Sequence, residues 1–450
     1  MSYYKPYPAY KDSGVEWLGL VPEHWCVVRM RFAATLNPPV RRDLLEDPDQ
    51  EVSFLPMEAI GEDGSLDLEQ NRPVADVRIG YSYFEDGDVA FAKVTPCFEN
   101  GKGALMRGLQ KAAGFGTTEL TVLRPQFSKV DASYLNYVVQ DSRFRSLGTG
   151  AMTGAGGLKR VPDEFTRNFP VALPLIEEQR VIATHLERET TRIDGLIEKK
   201  TRFIKLLREK RQALITYAVT KGLDPNVKMK DSGLEWLGKV PEHWAQAPLK
   251  RLVSSIGQGW SPECEARKPD RGEWGVVKVG CVNGGVFRPQ ESKALPAAIE
   301  PRPELGLRKG DVLVSRANTR ELVGSCAVVP QDYPHLLLCD KLYRIGCGVR
   351  VTPEFLAALI TVYGRRAVEI EANGASSSMV NIAQSVILDL LVAVPSKQEQ
   401  KAIMDRAVGE TMRIETMLVK TERSIALLKE RRSALITAAV TGQIDLREAV

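Results

Sequence analysis

The chain repeats itself, and this repeat constrains its fold more than any other feature of the sequence. Residues 11–25 are KDSGVEWLGLVPEHW and residues 230–244 are KDSGLEWLGKVPEHW, identical at 13 of 15 positions. Two further segments, EKRQALITYAVTKGLD (209–224) and ERRSALITAAVTGQID (430–445), are identical at 10 of 16 positions. The copies lie about 220 residues apart, so the chain consists of two versions of one unit.

The interior of each unit has diverged. Residues 30–165 and 250–385 share a scaffold in which two pairs of segments align: EDGDVAFAK (85–93) with RKGDVLVSR (308–316), and SFLPMEAI (53–60) with GVVKVGCV (275–282). Short β-branched runs, glycine-rich turns and helical patches predict that these inserts are mixed α/β. A shared frame with unlike inserts predicts a pseudo-twofold molecule whose halves contact different things. Gene duplication followed by drift, without a functional split, also accounts for the pattern.

A long, charged, proline-free segment with a heptad pattern ends each unit. Apolar residues recur seven positions apart, with Lys200 interrupting the first series. The heptad residues predicted to pack are Leu186, Ile193, Leu207 and Leu214 in the first segment and Ile414, Leu428 and Leu435 in the second. Pro174 and Pro395 precede the segments, and Gly222 and Gly442 lie near their ends, as expected for helix starts and stops.

Neither of these helices can bury its apolar stripe alone. The twofold implied by the repeat therefore predicts that they pair as an antiparallel coiled coil. At 1.5 Å per residue, about 40 residues give a rod of roughly 60 Å, nearly two turns of B-DNA at about 34 Å each. Such a rod can hold two modules over separated DNA sites. A helical hairpin that simply joins two domains fits the same geometry.

Basic side chains in the inserts are candidates for nucleic-acid contact. A net charge of +4 permits such binding without requiring it. Arginine and lysine can contact phosphates and base edges, and the candidates for DNA contact are Lys93, Lys102, Lys159, Arg160, Lys278, Arg316 and Arg320. Lys93 and Arg316 rank first because they occupy equivalent places after the aligned Gly-Asp-Val.

The sequence offers no defensible catalytic site. Asn37 starts an Asn-Pro-Pro run like that of amino-methyltransferases, but Val40 replaces the required aromatic residue. Residues 148–157 (GTGAMTGAGG) lack the spacing of a phosphate-binding loop and are predicted to form a flexible loop. His24 and His243 lie in the repeated Val-Pro-Glu-His-Trp, which favours a structural role. The absence of a catalytic triad, a metal cluster and a catalytic carboxylate pair argues against enzymatic activity.

Cysteine usage and hydropathy predict a cytoplasmic protein. Seven cysteines are scattered without a Cys-x-x-Cys pair, as is typical of reduced thiols. No apolar run approaches the roughly 18 residues needed to cross a bilayer.

The repeated motifs resemble the conserved regions of one family. The Gly-x-Glu-Trp-Leu-Gly-x-Val-Pro-Glu-His-Trp that opens each unit is similar to the start of each half of the specificity (S) subunits of type I restriction–modification systems. The Pro-x-x-x-Glu-Gln that leads into each long helix, and the Ala-Leu-Ile-Thr-x-Ala-Val-Thr helix ends, resemble the same family. The segments Trp274 to Gly284 and Thr95 to Gly103 look like parts of its target recognition domains. The resemblance covers nearly the whole chain, in order, twice.

This resemblance implies an α/β architecture: two mixed α/β target recognition domains joined by two long helices that form an antiparallel coiled coil with a pseudo-twofold internal repeat. The implied domains are a first target recognition domain at 1–170, a first conserved long helix and linker at 171–228, a second target recognition domain at 229–390 and a second conserved long helix at 391–450.

It further implies a non-catalytic DNA-recognition subunit. Each target recognition domain would contact one half of a bipartite, asymmetric double-stranded DNA sequence, and the paired helices would set the spacer length. Two modification subunits would bring S-adenosylmethionine and methylate adenine. Restriction subunits would supply ATP- and Mg-dependent translocation and cleavage, and the chain itself would bind no cofactor and no membrane.

Two other classes of function are left open by the residues alone. A structural adaptor would use the coiled coil to join two protein-binding modules and would show no DNA-sequence preference. A stand-alone enzyme is disfavoured by the missing motifs.

Overall fold

The chain divides into two compact units. The computed structural model describes residues 4–155, 157–235, 237–364 and 380–447. The first unit comprises the residues up to Arg202 together with those from Glu422 onward, and the second comprises Phe203–Thr421. Each unit therefore contains one insert and a part of both long helices.

The two long helices are continuous and lie between the prolines and glycines expected to flank them. The first spans Ile176–Lys221 (46 residues) and the second spans Lys397–Val440 (44 residues). Gly222 and Gly442 have φ values of +79° and +72°, the left-handed conformation in which glycine ends a helix without the steric cost of a Cβ atom.

The heptad residues of both long helices are buried or half-buried. Leu186, Ile193, Leu207, Ile414 and Leu435 are buried, and Leu214 and Leu428 are half-buried. In the first unit, Leu186 and Leu435 belong to one hydrophobic core, and Arg432 Nε donates to Asp194 Oδ2 at 3.1 Å. In the second unit, Val219 and Ile403 share a core. The start of one helix thus packs with the end of the other in each unit, which is the antiparallel pairing.

The strands of the first unit form two short ladders and two larger sheets. In chain order they are β1 (Tyr10–Asp12), β2 (Leu20–Pro22), β3 (Cys26–Arg29), β4 (Ala34–Leu36), β5 (Glu51–Leu55), β6 (Asn71–Pro73), β7 (Ser82–Glu85), β8 (Val89–Ala92), β9 (Gly103–Leu105), β10 (Ala113–Gly116), β11 (Leu120–Pro125) and β12 (Pro170–Leu173). The frame, which is the part of the unit outside the insert, supplies the ladders β1–β2 and β3–β12. The insert supplies the sheets β6-β5-β10-β7 and β4-β11-β8-β9, with β5 and β10 parallel.

The second unit repeats this topology. Its strands are β13 (Met229–Asp231), β14 (Lys239–Pro241), β15 (Ala245–Pro248), β16 (Val253–Gln258), β17 (Gly275–Val277), β18 (Ser292–Ala294), β19 (Gly306–Leu307), β20 (Val312–Ser315), β21 (Ala317–Asn318), β22 (Cys326–Val328), β23 (Tyr333–Leu337), β24 (Leu342–Cys347), β25 (Val380–Asn381) and β26 (Leu391–Val394). The order β18-β17-β23-β19 matches β6-β5-β10-β7, and β16-β24-β20-β22 matches β4-β11-β8-β9. Both sequence alignments made within the inserts are therefore confirmed, because they place β8 with β20 and β5 with β17.

Shorter helices cover the sheets. The α-helices are Arg42–Glu46, Val74–Val77, Ala132–Gln140, Ser142–Gly150, Asp163–Asn168, Pro353–Leu359 and Gln384–Leu388, and a π-helical turn spans Ile360–Gly364. The 3-10 turns are Met30–Phe32, Met57–Ala59, Gln110–Ala112, Leu249–Arg251, Val279–Gly285 and Pro303–Leu305. The prediction of a loop over residues 148–157 is wrong at its start, because the helix that begins at Ser142 continues through Gly150. Gly148 packs against Phe98 there, and any Cβ atom would collide with that ring.

A buried glutamine anchors each insert to the first turn of a long helix. Gln179 is fully buried; its Nε2 donates to the carbonyl oxygens of Lys129 and Pro174 at 2.8 and 2.9 Å, and its Oε1 accepts from the Asp131 amide at 2.8 Å. Gln400 makes the equivalent three bonds in the second unit. The amide is the side chain needed, because it satisfies two acceptors and one donor at once.

We expect Gln179→Leu to destabilise the protein by at least about 3 kcal/mol. The substitution leaves three backbone groups around a buried side chain without this partner, at about 1 kcal/mol or more each. Urea unfolding followed by tryptophan fluorescence measures the change. Gln212→Leu, at an exposed position on the same helix, is the matched control and should stay within about 0.5 kcal/mol of the wild type. Equal stabilities for the two variants would contradict the anchoring role.

Candidate nucleic-acid interface

The predicted residues Lys93 and Arg316 occupy equivalent positions at the end of a buried sheet strand. Lys93 follows β8, and its amide donates to the Glu119 carbonyl oxygen at 2.8 Å. Arg316 follows β20, and its amide donates to the Lys341 carbonyl oxygen at 3.0 Å. Both side chains are half-buried. The shared scaffold therefore presents a basic residue at the same sheet edge in both units.

In each unit, a further segment of the chain pairs through its backbone with the residues that follow this strand. In the first unit, Arg160 pairs with Val94, and the next amide, that of Val161, donates to the Lys93 carbonyl oxygen at 2.8 Å. In the second unit, Asn381 pairs with Ala317, and the amide of the following residue likewise donates to the Arg316 carbonyl oxygen at 2.8 Å.

The equivalent edges carry different side chains. The first unit has Lys93, Glu119 and Arg160 where the second unit has Arg316, Lys341 and Asn381. We call these two sets of three residues the strand-end triads. The backbone that positions them is common to both units, whereas their charge and hydrogen-bonding groups are not. This is the arrangement expected if each insert contacts a different chemical surface.

In the first triad, an ion pair fixes the arginine. Arg160 Nε donates to Glu119 Oε2 at 2.8 Å, and Arg160 Nη2 donates to Glu119 Oε1 at 2.6 Å. These bonds lower the pKa of the Glu119 carboxyl below its usual value, with a further contribution from the charge of Lys93. The carboxylate consequently stays ionised, and two cations share one anion at this edge.

In the second triad, a backbone carbonyl oxygen and an aromatic ring of the same unit hold the arginine. Arg316 Nη1 donates to the Asp340 carbonyl oxygen at 3.3 Å, and the guanidinium carbon lies 5.6 Å from the centre of the Tyr343 ring. Lys341 and Arg320 are exposed close by in sequence. This edge is therefore richer in positive charge than its counterpart.

Lys102 and Lys278, also predicted to contact DNA, have partners inside the fold. Lys102 Nζ donates to the Met57 carbonyl oxygen at 2.9 Å, and Lys278 Nζ lies 3.8 Å from a carboxylate oxygen of Glu291. By contrast, Lys159 is exposed, and its carbonyl oxygen accepts from the Thr95 amide. Of these three lysines, Lys159 is the one whose ammonium is best placed for a phosphate.

The repeated Val-Pro-Glu-His-Trp stabilises the frame by bonding to the start of a long helix. Trp25 is fully buried, and its Nε1 donates to Glu178 Oε1 at 3.1 Å while His24 Nε2 lies 2.8 Å from Glu178 Oε2. Trp244 and His243 contact Glu399 in the same way, at 3.0 and 2.9 Å. The structural role predicted for both histidines is confirmed. The glutamate that receives them was missed, although it precedes the glutamine in each repeated Pro-x-x-x-Glu-Gln.

The described part of the chain contains no group of three or more histidine, cysteine or acidic side chains able to hold a metal ion. None of its helices has the length and apolar character needed to span a membrane.

Comparison with curated proteins relates the chain to a defined family. The chain is 29% identical over 455 residues to the specificity subunit of the type I restriction enzyme EcoEI of Escherichia coli, covering 83% of this chain and 75% of that protein. It is 40% identical over 164 residues to the EcoAI specificity subunit of the same species, across 36% of this chain and 27% of that one. No protein-family model matches the chain.

The chain is thus similar, over most of its length, to the specificity subunits of type I restriction enzymes.

Solved structures share the fold of this chain. A chain from a structural study of complex assembly and conformational transition in the type I R-M system superposes with a TM-score of 0.72 at 17% identity, covering 94% of this chain and 99% of that one. The HsdS subunit from Thermoanaerobacter tengcongensis gives a TM-score of 0.51 at 19% identity, covering 94% and 98%. The expected architecture, with two mixed α/β domains and two long helices, is confirmed.

If this surface binds DNA, we expect Lys159→Ala to reduce the salt dependence of DNA binding and Lys102→Met to leave it unchanged. Each phosphate that a cation neutralises contributes about −0.9 to the slope of log Kobs against log[salt], and the Lys102 ammonium is already bonded to a carbonyl oxygen. Fluorescence anisotropy with a mixed-sequence duplex at several salt concentrations measures both slopes. Equal slopes for the two variants would contradict this assignment.

Proposed function

We propose that this chain is the non-catalytic subunit that recognises DNA for a type I restriction–modification complex. Its two inserts each bind one half of a bipartite, asymmetric double-stranded target. The observation that carries the proposal is the pair of strand-end triads. One scaffold, built twice, presents Lys93, Glu119 and Arg160 in one unit and other side chains in the other, so the two halves suit two different base sequences.

The long helices are the proposed docking surface for partner subunits. Besides the buried heptad residues they carry large apolar side chains that remain exposed within the second unit: Phe203 (45%), Leu206 (52%), Met412 (63%) and Val419 (58%). Large apolar side chains that remain exposed in a patch are typical of protein–protein interfaces. The partners are two modification subunits, which bring S-adenosylmethionine for adenine methylation, and restriction subunits, which use ATP and Mg to translocate and cleave DNA.

The methylation pattern tests this function. Co-expression with the modification subunit of the same genome, in a host without DNA methylation, is expected to give one split, asymmetric motif in a long-read map of methyladenine. The motif should vanish when this chain is omitted.

Replacement of residues 30–165 by the insert of another family member should change one half of the motif and leave the other intact, because the inserts fold on separate sheets. A motif that changes in both halves would argue against two independent readers. A soluble complex without any motif and without DNA binding would favour an adaptor.

A second expectation concerns the spacer between the half-sites. Each long helix contributes residues to both units, so an added helical turn, about 5.4 Å, should alter the spacing by one or two base pairs, at about 3.4 Å each. Four residues inserted before Gly222, with a matching insertion in the second long helix, provide the variant, and the methyladenine map provides the measurement. An unchanged spacer, or altered half-site sequences, would contradict the role of the helices as a ruler.

A further inference from the structure

Arg160 uses only one of the two hydrogen-bonding edges of its guanidinium to bind Glu119. The bonds from Nε and Nη2 to the two carboxylate oxygens occupy the side edge. The end edge, formed by Nη1 and the second N–H of Nη2, faces away from the carboxylate because the guanidinium is planar. The side chain is 44% exposed. The ion pair therefore fixes the direction of a donor pair and leaves that pair accessible.

The backbone of Arg160 is also fixed. Arg160 pairs with Val94 on one side and with Thr153 on the other, and the amide and carbonyl groups of Thr153 and Arg160 exchange bonds of 2.8 and 3.0 Å. A side chain held at both its backbone and its guanidinium loses little conformational freedom on binding. Lys93 and Lys159 lie next to it along the paired strands and supply positive charge for phosphates.

Three other arginines show that a carboxylate partner by itself does not create this geometry. Arg267 donates from Nε to Glu265 at 2.7 Å and from Nη1 and Nη2 to Glu273, so acidic residues hold both of its edges. Arg447 is held side-on by Asp445, but it stacks on the ring of Tyr7 at 5.0 Å in the N-terminal part of the frame. Arg124, in the same insert as Arg160, is held side-on by Asp88, but its Nη2 also lies 3.0 Å from Glu85. Arg160 combines the side-on pairing with a place in an insert and a side chain that is 44% exposed.

The feature is confined to one unit. The equivalent positions of the second strand-end triad hold Lys341 and Asn381, which cannot form a carboxylate–guanidinium pair. If the two inserts bind different half-sites, a contact made by Arg160 belongs to a single half-site.

We propose that the end edge of Arg160 donates to O6 and N7 of a guanine in the half-site bound by the first insert, and that Glu119 is the residue that positions it. Guanine is the base that presents two adjacent acceptors in the major groove, and a guanidinium edge matches their spacing. The proposal rests on the proposed function, because it assigns a base to a recognition surface of that subunit.

Arg160→Lys tests the base contact, because it keeps the positive charge and removes the forked donor pair. The co-expressed complex is assayed by methyladenine mapping and by competition binding with duplexes that carry each base at each position of the wild-type motif. We expect the preference for guanine over other bases to fall about 5- to 150-fold at one position of one half-site. Glu119→Gln should weaken the preference at that same position. Arg447→Lys and Arg267→Lys are matched controls and should leave the motif unchanged.

The outcomes separate this inference from the proposed function. A wild-type complex without any split motif would reject the function itself. A wild-type split motif that Arg160→Lys leaves unaltered, or that it weakens uniformly at every position, would overturn the guanine contact and leave the function standing. Altered preferences in both half-sites would also overturn it, since Arg160 belongs to one insert.

Discussion

The burial of one apolar stripe on each long helix is the constraint on which the structure depends. Neither helix can remove its own stripe from water, and each unit solves the problem by packing the start of one helix with the end of the other. This solution requires two helices of similar length in one chain. The internal repeat supplies them, so duplication of the unit and antiparallel pairing of the helices are two aspects of one physical requirement.

A small set of polar contacts joins the start of each long helix to the insert and fixes the position of the insert on the frame. At the start of each long helix a glutamate receives the tryptophan and histidine of the repeated motif, and the adjacent glutamine bonds to the backbone before the next helix of the insert. Buried polar groups are costly unless every one has a partner, which explains why the same residues stand at both places. The sheets above this anchor are then free to vary in their exposed side chains while they keep one topology.

The similarity to specificity subunits gives a reason for combining a constant frame with variable inserts. A recognition protein needs rigid positions for a few side chains, and those side chains must differ between targets. The strand-end triads meet both needs, since their backbone bonds coincide in the two units while an acidic residue in one is replaced by a lysine in the other. Between Arg160 and Glu119, a surface ion pair would contribute little to stability, so its fixed geometry is of greater interest as a means of orienting a donor.

The sequence by itself determined the repeat, both long helices, the glycines that end them and the alignment of the inserts, because each of these follows from local periodicity or identity along the chain. It also indicated Lys93, Arg160 and Arg316 at the two strand ends, but not Lys341. The tertiary structure decided which of those cations are available: Lys102 bonds to a carbonyl oxygen 45 residues away, and Arg160 pairs with a carboxylate 41 residues away. These pairings depend on sheet order and register, which bring distant strand ends together, and no spacing in the sequence encodes such a contact.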